Sequence, residues 1–266
     1  MTTDLMESVG NGIATLTMNR PAARNALTPQ MMMGLCEALP RLAADPTVRV
    51  VVLTGAGGAF CSGGDVKGFA DRASSDAGEN SFEHKVHDLR IRMDISRVLH
   101  EMPKPTLAVI PGPAAGAGLS LALACDLRIA SQDAKLTTAF SRVGLSGDFG
   151  GSYFLTYLVG AAMARELYFT GRVVTGSEAH ELGMVNRVAS PEALPEEGAA
   201  YARELGALPT IAVGYMKKNL NTALRGSLAD VLDSEAIHMI RTFDTSDHKG
   251  AARSFVEKKA PVFLGR

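Results

Sequence analysis

The chain has 266 residues, and its 27 Lys and Arg against 28 Asp and Glu give a formal net charge of −1. A nucleic-acid-binding protein normally carries a clear excess of positive charge, so the composition argues against a nucleic-acid partner. Hydrophobic residues make up 46% and charged residues 21%, which is typical of a folded protein and excludes an intrinsically disordered one. The length favours one large domain, or a domain with an added segment.

The first third of the chain alternates strand and helix patterns. Residues 13–18 alternate apolar side chains with threonine, as in a half-buried strand. Residues 48–53 are almost continuously apolar, as in a strand covered on both faces. Between them, Thr28 and Pro29 predict the start of a helix that continues to Leu42.

The same alternation continues along the chain. We predict strands at 106–110, 127–130 and 184–188, and helices at 115–124 and 161–169. Regular succession of strands and helices indicates an α/β fold with parallel strands.

One apolar segment has the length of a membrane-spanning helix. Residues 105–125 include no charged side chain over 21 positions, and about 20 apolar residues suffice to cross a bilayer. However, Pro105, Pro111 and Pro113 would interrupt such a helix, and the intervening glycines favour a turn. The segment therefore predicts a strand, a turn and a buried helix, and we expect no membrane partner.

From residue 191 onward the pattern is helical only. The segments with amphipathic spacing are 192–205, 210–224 and 227–243. We therefore divide the chain into an α/β body, residues 1–190, and a C-terminal helical segment for packing or assembly, residues 191–266.

The cysteines and the first residues bear on the cellular compartment. Cys36, Cys61 and Cys125 are odd in number and form no CxxC pair, so we expect neither a disulfide framework nor a zinc site. Residues 1–11 include Asp4 and lack a basic segment followed by an apolar run, unlike a secretory signal. We expect a cytoplasmic protein without a bound metal.

Two glycine-rich segments each follow a predicted strand: the first glycine turn, residues 55–67, and the second glycine turn, residues 111–120. Neither contains GxxxxGK[ST], and Phe60 and Leu121 stand where GxGxxG requires its last glycine, so nucleotide binding is not expected. The small, polar residues 70–83 between them predict a surface loop, either a lid or a simple connection.

Such turns place unpaired backbone N–H groups at the start of a helix, where the helix dipole is positive. Two of these groups, one from each turn, could hold an oxygen that becomes negatively charged, as in an oxyanion hole. Glycine and alanine at these positions are also typical of close packing between a helix and a strand, and composition alone favours that interpretation.

Five segments, in this order, resemble the crotonase superfamily, also called the enoyl-CoA hydratase/isomerase family. They are NRPAARNAL (19–27), TGAGGAFCSGGDVK (54–67), KPTLAVIPGPAAGAGLSLALACDLRIAS (104–131), TGRVVTGSEAHELGMVNRV (170–188) and SFVEKKAPVFLGR (254–266). The resemblance covers nearly the whole chain. It implies the ClpP/crotonase spiral of ββα units, with C-terminal helices that build trimers, often paired into hexamers.

The resemblance also implies an acyl-CoA thioester substrate and no separate cofactor, because CoA is part of the substrate. The thioester carbonyl would lie between the backbone N–H groups of Gly64 and Ala117. The other positions that match the family's acyl-CoA site are Arg24, Ala26, Ser62, Asp65, Lys67, Gly116, Ser120, Phe140, Phe255 and Lys258. Arg24 and Lys67 would lie near the CoA phosphates, and the last two residues would complete the CoA site across a subunit boundary.

Hydratases of this family use two glutamates, and here Ser120 and Phe140 occupy those positions. Neither side chain can hold a water and move its proton as a carboxylate does, so hydration by two glutamates is not expected. Asp148, in GLSGDFGGSYFL, resembles the aspartate of isomerases and dehalogenases of the superfamily. If Phe140, Leu145, Phe149 and Phe154 line the pocket, burial would raise its pKa. Alternatively, Asp148 caps the helix that starts near Gly150.

The histidines do not suggest a metal site. His84 and His87 lie three residues apart on a predicted helix, with no nearby acidic or cysteine ligand in a metal-site pattern, which favours a surface pair.

The sequence thus predicts a Δ3,Δ2-enoyl-CoA isomerase in which Asp148 is the single acid/base. Three alternatives stay open: a hydratase, another Asp148-dependent reaction on a ring-derived or halogenated acyl-CoA, and a catalytically silent CoA-binding subunit.

Overall fold

The computed structural model describes residues 4–64 and 81–266, which form a mixed α/β fold. The strands are β1 (Leu5–Gly10), β2 (Ile13–Met18), β3 (Val50–Gly55), β4 (Thr106–Ile110), β5 (Ala114–Ala115), β6 (Leu127–Ser131), β7 (Lys135–Thr137), β8 (Val174–Thr175) and β9 (Arg187–Ala189). The helices are α1 (Pro29–Ala44), α2 (Phe82–Arg92), α3 (Asp94–Glu101), α4 (Ala117–Ala124), α5 (Gly151–Thr170), α6 (Gly176–Glu181), α7 (Leu194–Gly206), α8 (Thr210–Ala223), α9 (Leu228–Phe243) and α10 (Ser246–Val256). Short 3-10 helices occupy Pro21–Ala23 and Phe140–Val143.

Six strands form the main sheet in the order β1-β2-β3-β4-β6-β9. β1 and β2 form an antiparallel hairpin, and every other pair in this sheet is parallel. A small second sheet has the order β5-β7-β8. The parallel arrangement predicted from the alternating patterns is confirmed.

The main sheet is covered on both faces. One face packs against α1, α3 and α4, with Val51 and Leu53 of β3 in that core. The other face packs against α7, with Val50 and Val52. β3 therefore has the two-sided burial that its continuous apolar run predicts, although it begins at Val50 rather than at residue 48.

The structure confirms most of the predicted elements and shifts several boundaries. Thr28 caps α1 by accepting a hydrogen bond from Met31 N at 3.0 Å, as predicted. The helix expected at 115–124 begins only at Ala117, because Ala114–Ala115 pairs as β5 and Gly116 turns the chain with φ 52°. The strand expected at 184–188 is confined to Arg187–Ala189.

Helix α5 is longer than expected. It runs from Gly151 to Thr170 and is interrupted at Gly160, whose φ of 77° and ψ of 161° are not helical. The predicted helix 161–169 is the part that follows this break.

The C-terminal boundary of the loop predicted at 70–83 is wrong. Phe82 and Glu83 belong to α2, and Ser81 caps that helix by accepting a hydrogen bond from His84 N. Residues 70–80 of the expected loop lie outside the described residues.

Beyond Ala189 the described chain is helical, as expected, and α10 is an additional helix that the sequence pattern did not reveal. Within the described ranges, no helix is both long and apolar enough to cross a membrane. The division at residue 190 stays a prediction.

Candidate active site

The two glycine turns meet at one edge of the main sheet. β3 and β4 are parallel neighbours, so the chain leaves both strands at the same edge. The turns then bond to each other: Phe60 N and Cys61 N donate to Pro113 O at 3.0 and 3.1 Å, and Ala115 N donates to Cys61 O at 2.9 Å. Sequence positions more than 50 residues apart are thereby held side by side.

Glycine is required where the two turns touch. A Cβ at Gly112 would lie 2.1 Å from Gly58 O, and one at Gly118 would lie 2.3 Å from Cys61 O. Both distances are too short for any side chain. The close-packing interpretation of these glycines is therefore correct. It does not conflict with an oxyanion-binding role for residues next to them.

The proposed oxyanion donors lie next to this contact. A Cβ at Gly63 would lie 3.5 Å from Ala117 N, so Gly63 of the first turn is adjacent to the start of α4. Ala117 is the first residue of α4, and neither its N–H nor that of Gly64 donates a hydrogen bond to a described residue. The geometry permits both groups to bind one oxygen, with the positive end of the α4 dipole behind it.

Ser120 and Phe140 both contact the second glycine turn. The buried Ser120 hydroxyl donates to Gly116 O at 3.2 Å. The Phe140 ring lies 3.6 Å from the position that a Cβ would take at Gly116. The two positions that hold glutamates in hydratases are thus close to the predicted oxyanion site, but they present a hydroxyl bonded to the backbone and a hydrocarbon ring.

Asp148 is presented by a strained loop. Gly147, Phe149 and Gly150 all have positive φ, of 114°, 49° and 73°. A non-glycine residue such as Phe149 adopts this conformation at a cost of roughly 1–2 kcal/mol. The Phe149 side chain is almost fully buried, so packing contacts hold it in place. Strain of this kind persists where surrounding contacts fix the loop.

The carboxyl group of Asp148 does not cap α5. Gly150 is the N-cap residue, and among the described residues no side-chain hydrogen bond caps this end of the helix. Asp148 Oδ1 is buried and has no hydrogen-bond partner among the described residues. The capping interpretation is therefore wrong, and the carboxyl is left available for a ligand.

Burial raises the pKa of Asp148 to about 6. Phe140 and Phe149 are buried, and Phe154 packs against Gly150 within the loop. Leu145 is exposed, so the expectation that it shares this apolar environment is corrected. A carboxyl with a pKa near neutrality is suited to proton transfer, because both of its forms are accessible.

The Asp148 loop docks on α4 beside the oxyanion turn. A Cβ at Gly151 would lie only 2.3 Å from Ser120 Oγ, so the start of α5 touches the first turn of α4. This contact brings the loop of Asp148 to the helix that begins with Ala117.

The residues expected near CoA are partly gathered at the first glycine turn. Ser62 N donates to Arg24 O at 2.9 Å, and Leu27 N, next to Ala26, donates to Gly63 O at 2.8 Å. Arg24 is exposed, whereas Ala26 is buried. Their CoA-binding role stays a prediction.

For the remaining predicted CoA residues the CoA-binding role stays a prediction. Asp65 and Lys67 lie outside the described residues. Phe255 is 85% exposed and Lys258 is also exposed, and neither has a recorded contact with the site residues. The chain end is held elsewhere, since Arg49 donates to Phe263 O at 3.0 Å.

The residue-by-residue interpretation missed Asn25, although it lies within the segment NRPAARNAL. Its fully buried amide donates to Ala56 O and Ala59 O at 2.9 and 2.8 Å, and accepts from Arg20 N at 2.8 Å. Asn25 therefore fixes the start of the first glycine turn. A second missed residue, Tyr168, stacks on Phe140 and gave no signal in the sequence.

Other candidate sites lack comparable chemistry. A cavity of about 670 Å³ between the main sheet and α7 is lined by none of the predicted site residues. His84 and His87 are exposed on α2, as expected for a surface pair. In the part of the chain that the structure describes, no group of three or more His, Cys, Asp or Glu could hold a metal ion.

Comparison with solved structures shows that this is the crotonase fold. An enoyl-CoA hydratase from Bacillus anthracis matches with a TM-score of 0.90 and 28% identity, over 99% of this chain and 100% of that one. An enoyl-CoA hydratase from Polaromonas sp. JS666 matches with a TM-score of 0.89 and 32% identity, over 98% and 99% of the two chains.

The family model described as Enoyl-CoA hydratase/isomerase matches residues 8–266, and the chain belongs to that family. It is 34% identical to 1,2-epoxyphenylacetyl-CoA isomerase of Escherichia coli (strain K12), over 98% of both chains. It is 37% identical to mouse (Mus musculus) enoyl-CoA hydratase domain-containing protein 2, mitochondrial, over 96% of this chain and 85% of that one. The family acts on acyl-CoA thioesters.

The raised pKa of Asp148 predicts a pH-dependent effect on stability. The pKa of the Asp148 carboxyl is about 6 in the folded protein and near 4 in the unfolded chain. The folded protein therefore binds the carboxyl proton more tightly. The ionised carboxylate thus destabilises the fold above pH 6, and the penalty vanishes as the pH falls from 6 to 4. We expect Asp148→Asn to raise the free energy of unfolding at pH 7.5 by about 1–2 kcal/mol, after allowance for partial exposure.

Urea unfolding at pH values from 4 to 8 measures this difference. Asp233→Asn, at an exposed carboxyl on α9, controls for the loss of one surface charge. A gain in stability that does not change across this pH range would contradict a carboxyl pKa near 6.

Proposed function

We propose that this protein is a Δ3,Δ2-enoyl-CoA isomerase in which Asp148 is the single acid/base. The observation that carries the proposal is the buried, unpaired carboxyl of Asp148, docked beside the second glycine turn. Its support is chemical: a serine and a phenylalanine occupy the two positions that hydration assigns to glutamates.

In the proposed reaction, the Asp148 carboxylate removes a proton from C2 of a 3-enoyl thioester. The electron pair moves onto the thioester oxygen, which becomes an enolate bound by the N–H groups of Gly64 and Ala117. The protonated carboxyl then returns its proton to C4, and the double bond shifts from C3–C4 to C2–C3. No water is added, and one carboxyl is restored to its starting form.

Typical magnitudes are consistent with two N–H donors that stabilise the enolate and one carboxyl that transfers the proton. A fixed N–H donor at a developing oxyanion is typically worth about 3 kcal/mol of transition-state stabilisation. A carboxyl whose pKa is about 6 is ionised at neutral pH and is a stronger base than an ordinary aspartate. A positioned acid/base contributes roughly 10²–10⁴-fold to the rate.

A second candidate is an Asp148-dependent isomerisation of a ring-derived acyl-CoA. One relative, at 34% identity, is a 1,2-epoxyphenylacetyl-CoA isomerase. Aromatic side chains also gather beside the Asp148 loop, where His100 packs edge-on to Tyr153 and Phe154 with ring centroids 6.1 and 5.2 Å apart. Such a surface favours a flat, ring-bearing acyl group.

We also propose that the chain assembles into a homotrimer or hexamer in the cytoplasm. Large apolar side chains are exposed on α8 and α9, namely Met216, Leu220, Leu228, Leu232, Ile237, Met239, Ile240 and Phe243. Such a patch is typical of an interface between protein chains. Light scattering coupled to gel filtration should give three or six times the 28.0 kDa chain mass, and a monomer at micromolar concentration would contradict the proposal.

Incubation of the pure protein with a 3-enoyl-CoA tests the reaction. Formation of the conjugated 2-enoyl thioester, followed by its absorbance, should fall by about 10³-fold in kcat/KM for Asp148→Asn. Asp133→Asn, at an exposed carboxyl in the turn after β6, is the matched control and should keep its rate.

Other products distinguish the alternatives. Rapid hydration of a 2-enoyl-CoA, undiminished in Asp148→Asn, would refute the isomerase assignment. Turnover of a ring-derived acyl-CoA in preference to linear 3-enoyl-CoA would support the second candidate. Tight acyl-CoA binding without exchange of the C2 proton in deuterated water would identify a silent CoA-binding subunit.

A further inference from the structure

Tyr168 is a partly buried residue with a buried hydroxyl oxygen, and the proposed proton transfer does not use it. It lies near the end of α5, and its ring stacks on Phe140 with centroids 6.0 Å apart and planes inclined by 19°. Phe140 in turn contacts Gly116 in the second glycine turn. Tyr168 thus connects α5 to the predicted oxyanion site.

The hydroxyl of Tyr168 packs against the loop that presents Asp148. A Cβ at Gly147 would lie 3.5 Å from Tyr168 Oη, and a Cβ at Gly151 would lie 2.6 Å from it. These two glycines flank Asp148 in the chain. The phenol oxygen is therefore held between the two ends of the loop.

Two buried polar atoms at this loop are unsatisfied. Neither Asp148 Oδ1 nor Tyr168 Oη has a hydrogen-bond partner of regular geometry among the described residues. Buried polar atoms in native proteins are nearly always paired, so two unpaired atoms at one loop call for a functional explanation. Here one group is a donor and the other an acceptor.

The electrostatics keep the phenol in its donor form. Burial, followed by the charge of Asp148, raises the pKa of Tyr168 to about 12, while a hydrogen bond with the Ser152 side chain lowers it. Tyr168 therefore stays protonated at neutral pH and retains a proton to donate.

We propose that Tyr168 is a positioning residue for Asp148: the two groups are not bonded in this structure, and when the carboxyl ionises the phenol turns to donate a hydrogen bond to it, orienting one oxygen and leaving the other for the substrate. This inference rests on the proposed function, since it assigns the reactive form of the same carboxyl. A hydrogen bond to the charged form favours ionisation and thus opposes the effect of burial.

Two titratable side chains, Arg142 and His100, pack against the described elements that hold this pair. The sequence of α4 contains no titratable side chain, and Arg142 of the 3-10 turn packs against Gly171, three residues after Tyr168. On α5, Arg165 and Glu166 are exposed. His100 of α3 packs against the aromatic side chains near the start of α5. Tyr168 is assigned to the carboxylate because its phenol oxygen packs against the Cβ positions of both Gly147 and Gly151.

The test measures the pKa of Asp148 directly, without substrate. Protein labelled with ¹³C at the aspartate carboxyl carbons is titrated by NMR, and the Asp148 signal is assigned by its loss in Asp148→Asn. Tyr168→Phe keeps the ring stacked on Phe140 but removes the donor. We expect it to raise the pKa of Asp148 by about one unit, a tenfold increase in proton affinity.

Tyr157→Phe is the matched control on the same helix, because its hydroxyl donates to Leu224 O and lies at the protein surface. It should leave the Asp148 titration unchanged. Urea unfolding of both variants shows whether each is folded. An Asp148 pKa that is the same in folded Tyr168→Phe and wild type would overturn the proposal.

The rate profile provides a second readout. In Tyr168→Phe, the acid limb of kcat/KM should move to higher pH by the same one unit, with KM changed less than twofold. A uniform loss of rate at all pH values would indicate a structural role only, and would contradict positioning. Should the wild type fail to isomerise 3-enoyl-CoA while the NMR shift is observed, the proposed function fails but the Tyr168–Asp148 pair stands.

Discussion

β3 and β4 are parallel neighbours, so the segments that follow them leave the sheet at the same edge and pack against each other there. They fit only because Gly112 and Gly118 carry no side chain, since a Cβ at either position would lie within 2.3 Å of a backbone oxygen. The remaining backbone groups then pair across the contact. The predicted oxyanion donors, Gly64 and Ala117, are adjacent as a consequence of this packing.

The same contact constrains the acid/base. Helix α4 starts at the contact, and all of its residues are buried, so its position is fixed on every side. The Asp148 loop docks on its first turn through Gly151 and Ser120, with a separation that only glycine allows. Burial of the loop raises the pKa of the carboxyl, and the strained Phe149 is the cost of that placement. The predicted oxyanion donors and the proposed base, Asp148, are therefore positioned by one packed unit.

Sequence patterns predicted the elements that have regular periodicity, including the strands at 13–18 and 106–110 and the cap at Thr28. They did not reveal β1, because only Leu5 of this edge strand is buried and its apolar pattern is weak. The two glycine turns were predicted from the sequence pattern itself, whereas the oxyanion donors within them and Asp148 came from resemblance to a family. Tyr168 could not be predicted, because its partners lie in other elements and the stacking with Phe140 exists only in the folded chain.

The central claim is that one carboxyl and two backbone N–H groups converge on one thioester. A crystal structure of the Asp148→Asn variant with a bound 3-enoyl-CoA tests it most directly. The account predicts the thioester oxygen about 3 Å from both Gly64 N and Ala117 N, and the side chain at residue 148 about 3–4 Å from C2 and C4. A thioester oxygen bound elsewhere, or a residue 148 side chain that does not reach the acyl chain, would contradict the account.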